Sequence, residues 1–233
     1  MTPPLLSVVI PCFNEEENLI PVISELNNEI EKNIGGSFEI LIINDGSTDN
    51  SLTVLESLKK NFGNVKFISH ETNKGFGAAL KTGFTASKGD YVTFFPADGE
   101  IPPQEVSKIS AMTIGKGFVT TKRIRENVYK GPRTFMTYTW QFIMRTILGY
   151  DFRHMDGIFI VKGDILRRMN LHSDSGLICF EVLMRLHKLN LSTDHTDMAC
   201  RPRLSGTSKI ANFYNIFKSL YETFKLRLHM LFE

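Results

Sequence analysis

Over its first hundred residues the chain alternates short apolar runs with stretches of helical spacing, joined by brief connections. "LLSVVI" (5–10), "FEILIIN" (38–44), "NVKFIS" (64–69) and "DYVTFF" (90–95) are rich in β-branched and aromatic residues and read as strands. Between the first two, "NEEENLIPVISELNNEIEKN" places Leu19, Val22, Ile23, Leu26 and Ile30 at helical spacing, with acids in the first turn where the helix dipole favours them. Further helices are expected over 50–60, capped by the turn "DGSTDNS", and over "AALKTGFTAS". Such alternation restricts the fold to the α/β class, a parallel sheet covered on both faces. In open sheets of this kind, ligands bind beyond the carboxyl ends of the strands. "PCFNEEE", "NDGSTD", "NKGFG" and "PADGE" all fall there.

The second half is looser. "PPQEVSKISAM" reads as a helix, "GFVTT" as a strand and "TFMTYTWQFIMRTILG" as an apolar helix. "GIFIVK" reads as another strand, "LICFEVLMRLHKLN" as a helix and "LSTDHTDMACRPR" as extended chain. No repeat, low-complexity tract or long linker divides the 233 residues, which suit one large domain, or a domain with a small appendage. The first hundred residues hold 7 basic and 14 acidic side chains and the remainder 20 and 11, a small net excess of base overall. Solvated charge is the simplest account of this asymmetry; an acidic first half would also suit a cation site, and a basic second half phosphates or an anionic membrane surface, with no nucleic-acid partner expected. Cys12, Cys179 and Cys200 have neither metal-ligand spacing nor a disulfide pattern, and read as reduced thiols of a cytoplasmic protein. No apolar run reaches the roughly 18 residues of a membrane span, and no signal-peptide core is evident at the amino terminus.

The fourth strand runs into "FFPADGEIPP", where Asp98 and Glu100 follow a hydrophobic run and proline stands at 96. Two acids at a strand's carboxyl end can bind a hard cation or decorate a solvated turn.

In order along the chain, "VVIPCFNEEENL", "EILIINDGSTDNS", "NKGFGAALKTGFTASKGDYV", "PADGEIPP", "FEVLMRLHKLNLS" and "RPRLSGTSK" resemble the inverting family-two glycosyltransferases of the GT-A fold. Among these they are most similar to the dolichyl- and polyprenyl-phosphate sugar transferases. The resemblance implies a mostly parallel, Rossmann-like sheet over residues 1–210, followed by a C-terminal amphipathic helix over 211–233. It implies an enzyme that takes sugar from a nucleoside-diphosphate sugar with the help of Mg²⁺ or Mn²⁺. The acceptor implied is a polyprenyl phosphate; a saccharide hydroxyl in surface-polysaccharide assembly, or nucleotide-sugar binding without turnover, are the alternatives.

Residue by residue, the resemblance assigns Pro11, Phe13 and Glu15 to the base and ribose, although a strand end and a helix start also account for them. Asn44 and Asp45 stand where the family carries two base-contacting aspartates, positions that a turn would equally use. Ala97 lies inside the family's D-x-D motif, with Pro96 in place of its first aspartate. Asp98 is the implied metal ligand and catalytic centre, with Glu100 at the third ligand position. Lys74, Arg123, Arg203, Ser208 and Lys209 are implied phosphate contacts, since arginine pairs bidentately and lysine as a point charge. Asp156 lies near the acceptor-side aspartate, with Asp151 competing for the alignment, and Glu181 matches a helical acid of the family.

The tail places Phe213, Ile216, Phe217, Leu220, Phe224, Leu228 and Leu231 on one helical stripe, with Lys218, Lys225 and Arg227 off it. Such a stripe can pack on its own domain, on a second copy in a homodimer, or in the headgroup plane of a membrane as a peripheral contact on its inner face.

Overall fold

Strand β1 (Leu6–Cys12) is buried along nearly its whole length, as expected of a central strand with helices on both faces. The computed structural model describes residues 6–34, 37–113, 115–124, 139, 142–150, 156–204 and 213–232. Strand β1 pairs in parallel with β2 (Phe38–Asn44) and with β4 (Tyr91–Phe94), and β2 pairs in parallel with β3 (Val65–Ser69). Helices α1 (Glu16–Asn33), α2 (Ser51–Asn61) and α3 (Phe76–Ala86) make the connections, as the alternation predicts. Leu19, Val22, Ile23, Leu26 and Ile30 are all buried on α1, each stabilising the fold by roughly 1.5–3 kcal/mol.

Beyond α4 (Gln104–Ala111), strand β5 (Phe118–Arg123) and strand β6 (Phe159–Lys162) extend the sheet. The sheet order is β3-β2-β1-β4-β6-β5-β7, with β7 spanning Thr193–Met198. Strand β6 runs antiparallel to both neighbours, and β7 pairs in parallel with β5. Reversal of that one strand brings its amino end to the edge where the other strands end.

Residues 142–148 are helical (α5); the rest of the apolar helix expected over 134–149 lies outside the described residues. Helices α6 (Gly163–Arg167) and α7 (Leu177–Lys188) follow β6, and α8 (Phe213–Phe232) ends the chain. Besides the main core there is a second cluster in which Leu226 and Met230 of α8 meet Met144 and Leu148 of α5 and Leu177 and Met184 of α7. Lys188 donates to the Met230 carbonyl at 2.7 Å, and Arg227 to the Leu148 carbonyl at 2.8 Å. Helix α8 therefore uses the face of Leu226 and Met230 for its own domain. Phe224, Leu228 and Leu231 of the expected stripe stay 57%, 56% and 58% exposed.

Candidate active site

The loops after β1 and β2 are laced together by side chains reaching across. Asn14 adopts a left-handed φ of 55°; its amide donates to Ser47 Oγ at 3.0 Å, and its side-chain oxygen accepts from the Thr48 amide at 2.8 Å. The Glu16 amide donates to Asp49 at 3.1 Å, and the Asn50 amide donates back to Glu16 at 2.8 Å. The expected turn thus crosses to its neighbour: Asn50, at the N-cap of α2, makes no side-chain cap itself. Gly46 sits at φ +68, and a Cβ there would lie 2.5 Å from the Thr72 carbonyl carbon, so only glycine lets the loop after β2 approach the loop after β3 this closely. Pro11, Phe13 and Glu15 are half-buried on this cradle, with Glu15 accepting from Asn18 Nδ2 at 2.7 Å.

Asn44 and Asp45 are buried at the end of β2. Asn44 accepts from the Ser47 amide at 3.1 Å and donates to Ser69 at 3.3 Å. Asp45 holds the third loop: the Lys74 and Gly75 amides donate to its carboxylate at 2.9 and 2.8 Å, and His70 Nδ1 lies 2.6 Å from Oδ1. Those contacts occupy three of the carboxylate's roughly four acceptor positions. The Lys74 side chain is exposed. Cys12 is buried beneath the same loops, and burial raises its thiol pKa to about 12, so it stays protonated and is no nucleophile.

The loop after β4 carries the acids. The Glu100 amide donates to Asp98 Oδ1 at 3.0 Å, and Gly99 between them has φ +71. Arg203 spans the pair, with Nε 2.6 Å from Glu100 Oε1 and Nη2 3.1 Å from Asp98 Oδ2. Arg123, at the end of β5, places Nη1 3.4 Å from Glu100 Oε2, and its Nε is buried with no hydrogen-bond partner. The Arg123 amide donates to Asp156 at 2.8 Å, which fixes the start of β6 beside the acids. Burial pushes the Asp98 carboxyl above its usual range, helped by the neighbouring charge of Glu100 and opposed by the Glu100 amide, Arg203 and Arg123. Ala97 is buried beside it.

Residues 201–204 are stitched onto this loop. The Arg201 amide donates to the Glu100 carbonyl at 2.8 Å and the Leu204 amide to the Asp98 carbonyl at 3.3 Å. Arg201 Nε donates to the Gly99 carbonyl at 2.7 Å, and its guanidinium forks onto Glu25 at 3.1 and 2.6 Å. Among the described residues no three His, Cys, Asp or Glu side chains converge as a complete metal site. Two hard carboxylates close enough to share one guanidinium nonetheless fit a divalent cation that would complete its coordination with oxygen ligands from outside the chain.

Glu181 is fully buried on α7, accepting from the His172 and Ser173 amides at 3.0 and 2.9 Å and from Arg185 at 3.1 Å. It thereby holds the segment whose Asp174 carbonyl receives the Gly77 amide at 2.8 Å, at the start of α3. Its part is positional. Burial raises its pKa, but the Ser173 and His172 hydrogen bonds and Arg185 outweigh that and hold it below the usual range.

The fold thus gathers Pro11, Phe13, Glu15, Asn44, Asp45, Lys74, Ala97, Asp98, Glu100, Arg123, Asp156 and Arg203 along one edge; Ser208, Lys209 and Asp151 lie outside the described residues. Sequence reading passed over His70, which braces Asp45, and Arg201, although Arg201 opens the quoted "RPRLSGTSK".

Comparison with known proteins agrees with this architecture. Residues 7–174 match the family described as Glycosyl transferase family 2. The dolichyl-phosphate beta-glucosyltransferase of Saccharomyces cerevisiae is 30% identical over 168 residues, covering 67% of this chain and 50% of the yeast protein. The chain therefore spans about half the length of that relative. A Mycobacterium tuberculosis glucosyl-3-phosphoglycerate synthase, solved with Mn²⁺, UDP-glucose and phosphoglyceric acid, superposes with a TM-score of 0.70 at 18% identity, covering 96% of this chain and 79% of that one. The Pyrobaculum calidifontis mannosyltransferase, solved with GDP-mannose and Mn²⁺, gives 0.64 at 14% identity, covering 94% and 61%. At these identities the structural likeness is one of fold, and the match over 7–174 settles the lineage: the chain belongs to glycosyl transferase family 2.

Proposed function

We propose that this chain transfers a sugar from a nucleoside-diphosphate sugar to a polyprenyl phosphate, inverting the anomeric centre, at the surface of a membrane. The observation that carries the reading is the acid pair Asp98–Glu100 under two arginines at the sheet's carboxyl edge, in a family-two chain whose yeast relative is a dolichyl-phosphate glucosyltransferase. Residues 1–210 act as the GT-A catalytic domain, and 211–233 as its amphipathic appendage.

Phe13 and Pro11 pack on the base, Glu15 accepts from the ribose, and Asp45, pre-positioned by His70 and by the loop amides, offers its remaining acceptor position to a base N–H. Asn44 fixes the turn on which Asp45 stands. Asp98 and Glu100 hold the divalent cation, Mg²⁺ or Mn²⁺, which when bound supplies Lewis-acid neutralisation of the departing diphosphate. Arg123 and Arg203, joined by Lys74, Ser208 and Lys209, pair with the phosphates, while Ala97 leaves room beside Asp98 for the sugar. A phosphate acceptor is anionic at neutral pH, so the chain need only position it opposite the leaving group. A hydroxyl acceptor would need a general base, and Asp156, which accepts from the Arg123 amide, is the candidate for that role.

The exposed Tyr221, Phe224, Leu228, Leu231 and Phe232, with exposed Lys225 among them, suit the headgroup plane of the cytoplasmic leaflet; each basic residue near an anionic surface adds roughly 1 kcal/mol. A homodimer would cover the same face. Phe224→Asp with Leu228→Asp should lower co-sedimentation with vesicles containing anionic phospholipid at least tenfold and leave the melting temperature unchanged, because both side chains are exposed. Unchanged sedimentation together with a dissociated dimer would assign the face to self-association.

The function is tested by incubating the protein with Mn²⁺, radiolabelled UDP-glucose or GDP-mannose, and polyprenyl phosphate. Label is expected in the solvent-extractable lipid. Label confined to water-soluble saccharide would mark a hydroxyl acceptor, and donor binding without turnover would mark a binding protein.

A further inference from the structure

We propose that Arg203 is an internal stand-in for the divalent cation: guanidinium and metal are alternative occupants of the Asp98–Glu100 pair, and the cation arriving with a diphosphate releases Arg203 toward the phosphates. The inference rests on the reading of Asp98 and Glu100 as the metal-holding pair.

The geometry distinguishes Arg203 from its neighbours. Among the contacts between described residues, it spans both acids, at 2.6 Å to Glu100 and 3.1 Å to Asp98. Arg201, two residues earlier, is committed to Glu25 and to the Gly99 carbonyl, so it anchors the segment beside the acids and is not the exchanging group. The Arg203 side chain keeps about a quarter of its surface in water, whereas Glu100 is nearly buried, so the arginine is the partner that can leave. Arg123 stays beside Glu100 after that departure.

Charge sets the direction of the exchange. Among the described residues, the charges of Asp98 and Glu100 face those of Arg123 and Arg203. A divalent cation added alone would leave the loop with excess positive charge, which disfavours it. A cation that brings a diphosphate adds nearly equal and opposite charges, and Arg203 then follows the phosphates. Binding of metal and nucleoside diphosphate is therefore coupled, and by linkage each tightens the other by the same factor. A site that Arg203 fills for 90% of the time would bind metal about tenfold more weakly than the bare acid pair.

The test is Mn²⁺ binding followed by electron paramagnetic resonance, with and without UDP or GDP, so that the readout is independent of turnover. Without nucleotide, Arg203→Gln should bind Mn²⁺ about tenfold more tightly than the natural chain, and its gain on adding nucleotide should shrink correspondingly. Arg203→Lys, which keeps the charge but loses the fork, should fall between. Lys122→Gln removes an exposed charge beside Arg123 without touching the acids or the 201–204 segment and should leave Mn²⁺ affinity within about twofold. Melting temperatures show whether each variant is folded, and the Arg203 Nε–H resonance should shift when Mg²⁺ and UDP or GDP are added together, but not with Mg²⁺ alone. Equal Mn²⁺ affinity in the natural chain and Arg203→Gln, or equal tightening by Lys122→Gln, overturns the stand-in role while leaving the metal site in place. Absence of Mn²⁺ binding in every protein, with either nucleotide present, overturns the metal site and the stand-in together.

Discussion

Asparagine in place of Asp98 is expected to lower kcat/KM for sugar transfer by about 10²–10³-fold, the usual consequence of removing one group that stabilises charge in the transition state. The substitution isolates charge from shape. Asparagine can still accept the Glu100 amide through its side-chain oxygen, so the turn around Gly99 is kept. What is lost is a negative charge facing Arg203 and, in the proposed reaction, the cation. Burial pushes the Asp98 carboxyl upward, which offsets part of what its contact with Arg203 contributes, so neutralising it should lower the melting temperature by no more than about 4 °C. Initial rates and thermal unfolding on the same preparations check both halves. Activity within threefold of the natural chain would remove Asp98 from the chemistry.

Glu181→Ala should act in the opposite way, costing about 3–5 kcal/mol of stability because it leaves Arg185 and two amides without their buried acceptor. For a chain of this size that amounts to roughly 10 °C in melting temperature. The sign with pH follows from the lowered pKa of Glu181. The unfolded chain binds the proton more readily, so the stabilisation is present above the unfolded glutamate pKa and is lost as pH falls through the lower folded value. Urea unfolding at neutral pH should separate Glu181→Ala from the natural chain, and the gap should narrow in acid. A gap that persists unchanged below the folded pKa would mean the cost comes from lost packing.

The first half of the fold was legible because its signals are local. Hydrophobic period, β-branched runs and turn residues place β1 to β4 and α1 to α3 within a few residues, and the five apolar positions of α1 are all buried. Asp98 and Glu100 were legible through their position at the end of β4. Long-range pairings were not. The reversed direction of β6 leaves no mark in a four-residue apolar strand, yet it sets Asp156 beside Arg123. Arg203 meets Glu100 across 103 residues, a contact that only packing of the whole sheet creates. His70 was passed over because its role, bracing Asp45, depends on two loops meeting. On α8 the apolar stripe was legible but its use was not: among the described residues, Thr223, Leu226 and Met230, which lie outside the stripe, are buried against the domain.

The most direct test is anomalous scattering at the manganese edge from crystals soaked with Mn²⁺ and a nucleoside-diphosphate sugar. A single strong peak in coordination contact with Asp98 and Glu100, bridging to the donor's diphosphate, is the predicted result. A donor seated along this edge with no cation at the two acids, or a cation bound elsewhere, would contradict it.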